Sequence, residues 1–189
     1  NPINYYGVLK VVCETIVQET AQNGAVARVA GVNGTHWARP NDERPQNLGF
    51  GHFCTAVVET LRKGEPFHVW EGEINRVATP SLASESAEMI LRIIEQDARG
   101  MFHCCGGERI ERKALAMLTA EVFELDPTLI QTGAPEWGDV GSIAGVRVPH
   151  DTSLSAAATA GKLGYRLPSA RELLQCYRAE VDTGALWCG

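Results

Sequence analysis

Two side chains near the start of the chain could act together on a proton. Tyr6 and Lys10 are four residues apart in a stretch whose apolar residues have helical spacing, so a helix would stack the two side chains on one face. A phenol with a reference pKa of about 10 exchanges protons poorly at neutral pH, but a neighbouring ammonium stabilises the phenolate. The pair is suited to general acid catalysis on a carbonyl under reduction. Taken alone, the same spacing also fits an ordinary helix face.

The elements that would position this pair alternate between helices and short strands. Apolar residues recur at helical intervals after Tyr5, and 23–24 (Asn-Gly) would end that helix. A loop over 31–49 follows the first strand. We predict strands at 25–29, 67–70, 100–104 and 129–132, and further helices at 50–62, 83–96, 110–124, 153–163 and 169–180. This alternation predicts an α/β fold.

Composition excludes several classes of function. The net charge is −6 with no cluster of Lys or Arg, whereas a nucleic-acid or anionic-membrane surface needs a basic patch. No apolar run reaches the roughly 20 residues of a membrane span, so we expect a cytoplasmic protein. The six cysteines contain no C-x-x-C pair, and we expect free thiols. His103 beside Cys104 and Cys105 lacks the spacing of a zinc site.

A phosphate-binding glycine loop is absent from the sequence. No G-x-G-x-x-G or G-x-x-G-x-x-G follows a strand and precedes a helix, so the chain cannot cradle a dinucleotide pyrophosphate in the usual way. The chain opens on Asn1 and Pro2 directly before the helical pattern. We therefore expect it to begin inside a longer protein, although processing of a true N-terminus is an alternative.

Five stretches of the chain form an ordered series of motifs. Residues 2–10 (PINYYGVLK) fit P-x-N-x-Y-G-x-x-K, and residues 27–34 (ARVAGVNG) look like R-x-x-x-V-Y-G with Asn33 in place of the usual Tyr. Three later stretches are similar to G-x-x-x-R, to G-x-Y/F-H and to the R-P-x-D-x-S-L entry to the penultimate helix: 72–76, 100–103 and 147–154. This series resembles the extended short-chain dehydrogenases, among them the dTDP-4-dehydrorhamnose reductases.

The resemblance implies an NAD(P)-dependent oxidoreductase or epimerase acting on a nucleoside-diphosphate sugar. Tyr6 would be the proton donor, and Lys10 would activate it and hold the nicotinamide ribose, while Val29 and Ala30 would lie beside the nicotinamide. The implied fold is the C-terminal part of a Rossmann-type enzyme: a catalytic-helix and strand remnant at 1–34, and a mainly substrate-binding portion with sheet-returning elements at 35–189. A missing N-terminal half would bind most of the NAD(P)(H), so we expect the isolated chain to be inactive.

Two further residues are candidates for substrate binding. Arg76 could form a fork to the substrate diphosphate or ribose, because planar bidentate donors suit phosphate; it could equally be a solvated residue beside Glu71 or Glu73. Phe50 could stack on the base or line the sugar pocket, or be a helix core residue.

A second function is compatible with the same resemblance. A non-catalytic regulatory or binding module derived from this family would retain the pocket without the reaction. In either case we expect the chain to form a homodimer or to bind its missing half through the first helix, because Val8, Leu9, Val12 and Ile16 would otherwise lose cover.

Overall fold

A computed structural model describes residues 2–35, 52–72, 74–133 and 148–185 of the chain. The helices are α1 (Tyr5–Thr20), α2 (Phe53–Arg62), α3 (Ala83–Glu95), α4 (Arg112–Val122), α5 (Ala157–Leu163) and α6 (Ala170–Thr183). The strands are β1 (Ala25–Val29), β2 (Gly31–Asn33), β3 (Phe67–Trp70), β4 (Val77–Ala78), β5 (Pro80–Leu82), β6 (Gly100–Cys104), β7 (Ile110–Glu111) and β8 (Ile130–Gly133). The predicted mixed α/β class is confirmed.

The strands pair mainly in parallel. β1 pairs with β6, β2 with β5 and β3 with β8, all parallel, and β4 pairs antiparallel with β7. Parallel pairs need crossover connections, and helices supply most of these here. Two successive strands near the start of the chain, β1 and β2, thus each pair with a strand from much later in the sequence.

Three apolar clusters hold these layers together. One lies between α2, α4 and α6, with Leu173 and Leu174 at its centre. A second joins α2 and α4 to β3, and a third joins α3 and α5 to β6 around Phe102. Helix α1 contributes no buried residue to any of them. The first helix is therefore attached to the molecule differently from the others.

Several element boundaries differ from the sequence prediction. The segment predicted as a loop from residue 31 begins with strand β2, and the residues directly before the helix predicted at 83 form strand β5. Both strands are only three residues long, so they carry almost no periodic signal. The helix predicted from 110 begins at Arg112 after β7, and the one predicted from 153 begins at Ala157. The start predicted at Ser169 is confirmed by a capping box with Glu172.

No helix in the described part of the chain is long and apolar enough to cross a membrane.

Candidate active-site cleft

Helix α1 presents Tyr6 and Lys10, and its start is fixed by local contacts. The side chain of Asn4 accepts a hydrogen bond from the Gly7 N–H at 2.9 Å, which caps the helix. Pro2 packs so closely over Gly7 that a Cβ there would lie 2.9 Å from the Pro2 Cβ. The Asn-x-x-Gly spacing thus sets where the helix begins, and so which face Tyr6 and Lys10 occupy.

The structure brings the predicted pair together. The Lys10 ammonium lies over the Tyr6 ring, 5.3 Å from the ring centroid, which is within the range of a cation–π contact. The Tyr6 residue is 69% exposed. A charged group and an accessible phenol therefore share one face of α1, as the four-residue spacing predicts.

One ion pair ties α1 to the sheet. The Arg28 guanidinium on β1 donates two hydrogen bonds to the Glu14 carboxylate, Nε to Oε1 at 2.7 Å and Nη2 to Oε2 at 2.6 Å. These bonds hold the pKa of Glu14 below its ordinary value, although partial burial opposes the shift. Glu14 follows Lys10 by one helical turn, so the ion pair holds the part of α1 next to Lys10 against β1.

A cleft of about 800 Å³ opens between α1 and the first strands. The predicted residues Tyr6, Lys10, Val29 and Ala30 all line it. On the far side it is closed by residues from the turn before β4, from β4, from α4 and from the segment before α5: Asn75, Ala78, Arg112, Thr152 and Leu154. The structure thus places these four residues in one cleft.

Arg76 lies at a second, smaller cavity. This space of about 370 Å³ is lined by Arg76, by Trp70 and its neighbours at the end of β3, and by the first residues of α4. The Arg76 Nη2 lies 3.3 Å from Glu111 Oε1, and both side chains are about half exposed. The observed partner of Arg76 is thus Glu111 on β7, which also lines this cavity.

Arg112 is a site residue that the sequence did not reveal. It lines both the cleft and the Arg76 cavity, and its Nε donates a hydrogen bond to the Asn75 carbonyl at 2.8 Å. The Arg112 guanidinium also lies 4.9 Å from the centroid of the Phe53 ring. From the sequence, an Arg at the start of a helix is typical of a surface cation. Only its tertiary contacts with Asn75 and Phe53 show that Arg112 differs from one.

Asn33, which stands in place of the Tyr of the motif that residues 27–34 resemble, has a structural role. Its buried side chain accepts a hydrogen bond from the Cys54 N–H and donates to the carbonyls of Gly31 and Ser81. His52, at the start of α2, makes no side-chain capping bond. Asn33 thus caps α2 from a distance and ties it to β2 and β5.

Three further features considered from the sequence are Phe50, His103 and the cysteines. Phe50 lies outside the described residues. His103 is a strand residue whose Nδ1 lies 2.9 Å from the Ser155 carbonyl. Cysteines 13, 54, 104, 105 and 176 are free thiols, and no group of three metal-binding side chains occurs in the described ranges.

Several solved structures of enzymes named for sugar nucleotides have a similar fold. The chain superposes on dTDP-4-dehydrorhamnose reductase from Bacillus anthracis str. Ames, solved with NADP, with a TM-score of 0.71 and 16% identity over 95% of this chain and 56% of that one. A hypothetical dTDP-4-dehydrorhamnose reductase from Sulfolobus tokodaii gives 0.66 and 25% identity over 89% and 52%. UDP-glucose 4-epimerase from Thermotoga maritima, solved with UDP-glucose, gives 0.68 and 21% over 97% and 55%.

The chain belongs to the RmlD substrate binding domain family, whose model matches residues 1–182. No curated protein sequence matches it. The chain spans a little over half the length of the solved structures it resembles. The predicted family and fold class are therefore confirmed.

Proposed function

We propose that this chain is the substrate-binding and catalytic Tyr/Lys part of an NAD(P)-dependent sugar-nucleotide oxidoreductase, a 4-keto-sugar reductase such as dTDP-4-dehydrorhamnose reductase, or an epimerase. The observation that carries the proposal is the cleft in which Tyr6, Lys10, Val29 and Ala30 meet. Membership of a substrate-binding family and the fold of nucleotide-sugar enzymes agree with it.

The chain's own residues supply the proton in this reaction. A bound reduced nicotinamide would deliver hydride to the carbonyl carbon of the sugar. The Tyr6 hydroxyl donates its proton to the carbonyl oxygen, so that the ketone becomes an alcohol and Tyr6 is left as phenolate. The Lys10 ammonium beside the Tyr6 ring offsets that negative charge. Solvent access at the exposed Tyr6 allows the hydroxyl to be protonated again before the next cycle.

The substrate would extend from this cleft toward Arg76. A guanidinium suits a diphosphate because it offers parallel donors to two oxygens, and Arg76 lines a cavity beside Trp70. Phe50 remains a predicted contact to the base or sugar.

The cofactor would be held mainly by a separate dinucleotide-binding half. Lys10, with the strand residues Val29 and Ala30, fits the nicotinamide end, since an ammonium and an apolar strand end line the same cleft. The sequence contains no glycine loop for the pyrophosphate. The isolated chain should therefore bind NAD(P)H weakly and should not catalyse hydride transfer.

The decisive experiment replaces Tyr6 in a protein that includes the dinucleotide-binding half. In steady-state reduction of a dTDP-4-keto sugar by NADPH, Tyr6→Phe should lower kcat by about 10² to 10⁴-fold, the usual contribution of a positioned general acid. KM should change little. Tyr5→Phe, on the neighbouring exposed phenol, is the matched control and should retain activity. Near-normal turnover of Tyr6→Phe would remove Tyr6 from this role.

A further inference from the structure

Arg112 stands at the junction of the two cavities. Among the described residues it alone lines both the cleft of Tyr6 and the cavity of Arg76. Its backbone N–H donates a hydrogen bond to the Arg76 carbonyl at 2.9 Å. The first residue of α4 is thus fixed directly beside the turn that carries Arg76. A ligand that occupied both cavities would therefore lie next to Arg112.

The two contacts of the Arg112 guanidinium with described residues are both with neutral groups. Its Nε donates to the Asn75 carbonyl, and the Phe53 ring lies against it. No carboxylate pairs with Arg112 in the part of the chain that the structure describes, whereas Arg28, Arg76 and Arg109 each have one. Burial lowers the pKa of Arg112 to about 10, which still leaves it protonated at neutral pH. A partly desolvated cation without a counter-charge is unfavourable unless an anion joins it.

We propose that Arg112 binds the anionic group of the substrate at the junction and thereby selects nucleoside diphosphates over uncharged nucleosides. This inference rests on the proposed function and adds to it the residue that sets specificity for the anion. A guanidinium has five N–H donors, and the Asn75 carbonyl engages one of them. The remaining donors form a fork suited to two phosphate oxygens.

Arg112 is better placed for this task than Arg76 alone. Arg76 shares its charge with Glu111, and both side chains are about half exposed, so solvent and the carboxylate weaken its attraction for an anion. Arg112 is more deeply buried, and no carboxylate among the described residues neutralises its charge. A bridging diphosphate would contact both guanidinium groups, and its sugar would then point toward Tyr6.

Calorimetric titration of this chain with dTDP and with thymidine tests the inference. Arg112→Met should weaken dTDP binding by roughly tenfold or more, because the charge-assisted bidentate hydrogen bonds to phosphate are lost. Thymidine binding should stay unchanged. Arg112→Lys keeps the charge without the fork and should show a smaller loss for dTDP alone. Arg171→Met is the matched control, because Arg171 pairs with Glu121 outside both cavities; it should bind both ligands as the unaltered chain does.

The results separate this inference from the proposed function. An Arg112→Met chain that retains full dTDP affinity, or that loses dTDP and thymidine equally, would show that Arg112 only supports the turn at Asn75, and the inference would fall. If Arg112→Met does not fold, Arg112→Lys decides: an unchanged preference for dTDP overturns the role of the fork. An unaltered chain that binds no dTDP at millimolar concentration would overturn the substrate class itself, and this inference with it.

Discussion

Glu85 is a buried acid in the first turn of α3. Burial raises its pKa to about 7 from an ordinary 4.5, although the Leu82 backbone and the Tyr165 hydroxyl oppose the shift. Between those two pH values the unfolded chain releases a proton that the folded chain keeps. The free energy of unfolding should therefore fall as the pH rises from about 4.5 to 7, by up to about 3 kcal/mol.

Glu85→Gln should remove this dependence and make the chain more stable than the original above pH 7. Urea unfolding at a series of pH values measures it. Glu88→Gln is the control: Glu88 lies on the same helix but is partly exposed and paired with Arg92, so it should leave the pH dependence in place. Parallel curves for the original chain and Glu85→Gln would contradict the assignment.

The attachment of α1 to the sheet is a property of the whole element. Among hydrogen bonds between described side chains, only those of Glu14 and Arg28 join this helix to a strand, and α1 buries no residue of its own. Replacing either partner should loosen the helix and raise hydrogen exchange of its backbone amides. A double-mutant cycle with Glu14→Gln and Arg28→Gln should give a coupling of about 0.5 to 1 kcal/mol, the range of partly exposed pairs.

The pH dependence of this contact has a definite sign. The folded state lowers the pKa of Glu14, so the stabilisation is present above the ordinary pKa of a glutamate and is lost as the pH falls below it. Glu19 lies on the same helix, and no ion pair of Glu19 occurs among the described residues. Glu19→Gln should therefore leave the exchange rates unchanged. Equal protection of α1 in the original chain and in Glu14→Gln would show that other contacts hold the helix.

At the scale of elements, the spacing of apolar residues and the turn residues that end each segment predicted α1, β1, β3 and β6 well. The two three-residue strands β2 and β5 depend on pairing with each other, which no local pattern encodes. The candidate site divides in the same way. Tyr6 and Lys10 could be found because one helix sets their spacing. Arg112 and Asn33 could not, because their partners lie far away in the sequence.

For the whole molecule, the first helix also shows what a pattern cannot predict. Its apolar spacing indicated a helix with one buried face, and the helix forms, yet Val8, Leu9, Val12 and Ile16 are 43%, 64%, 48% and 54% exposed. The spacing of the apolar residues determines that a helix forms and which residues share its apolar face. It does not determine which surface covers that face. A soluble monomer rarely leaves such a contiguous apolar face in water.

We therefore expect the chain to associate through α1, either with a second copy or with a dinucleotide-binding half. Burying each large apolar side chain contributes roughly 1.5 to 3 kcal/mol, so four of them can drive association. Light scattering should show a dimer of the chain alone, and Leu9→Gln with Ile16→Gln should shift it to monomer. Leu91→Gln with Ile94→Gln removes two similarly exposed apolar side chains from α3 and should leave the dimer intact. A monomer at high concentration, with the amides of α1 protected from exchange, would show instead that this helix is covered within a single chain.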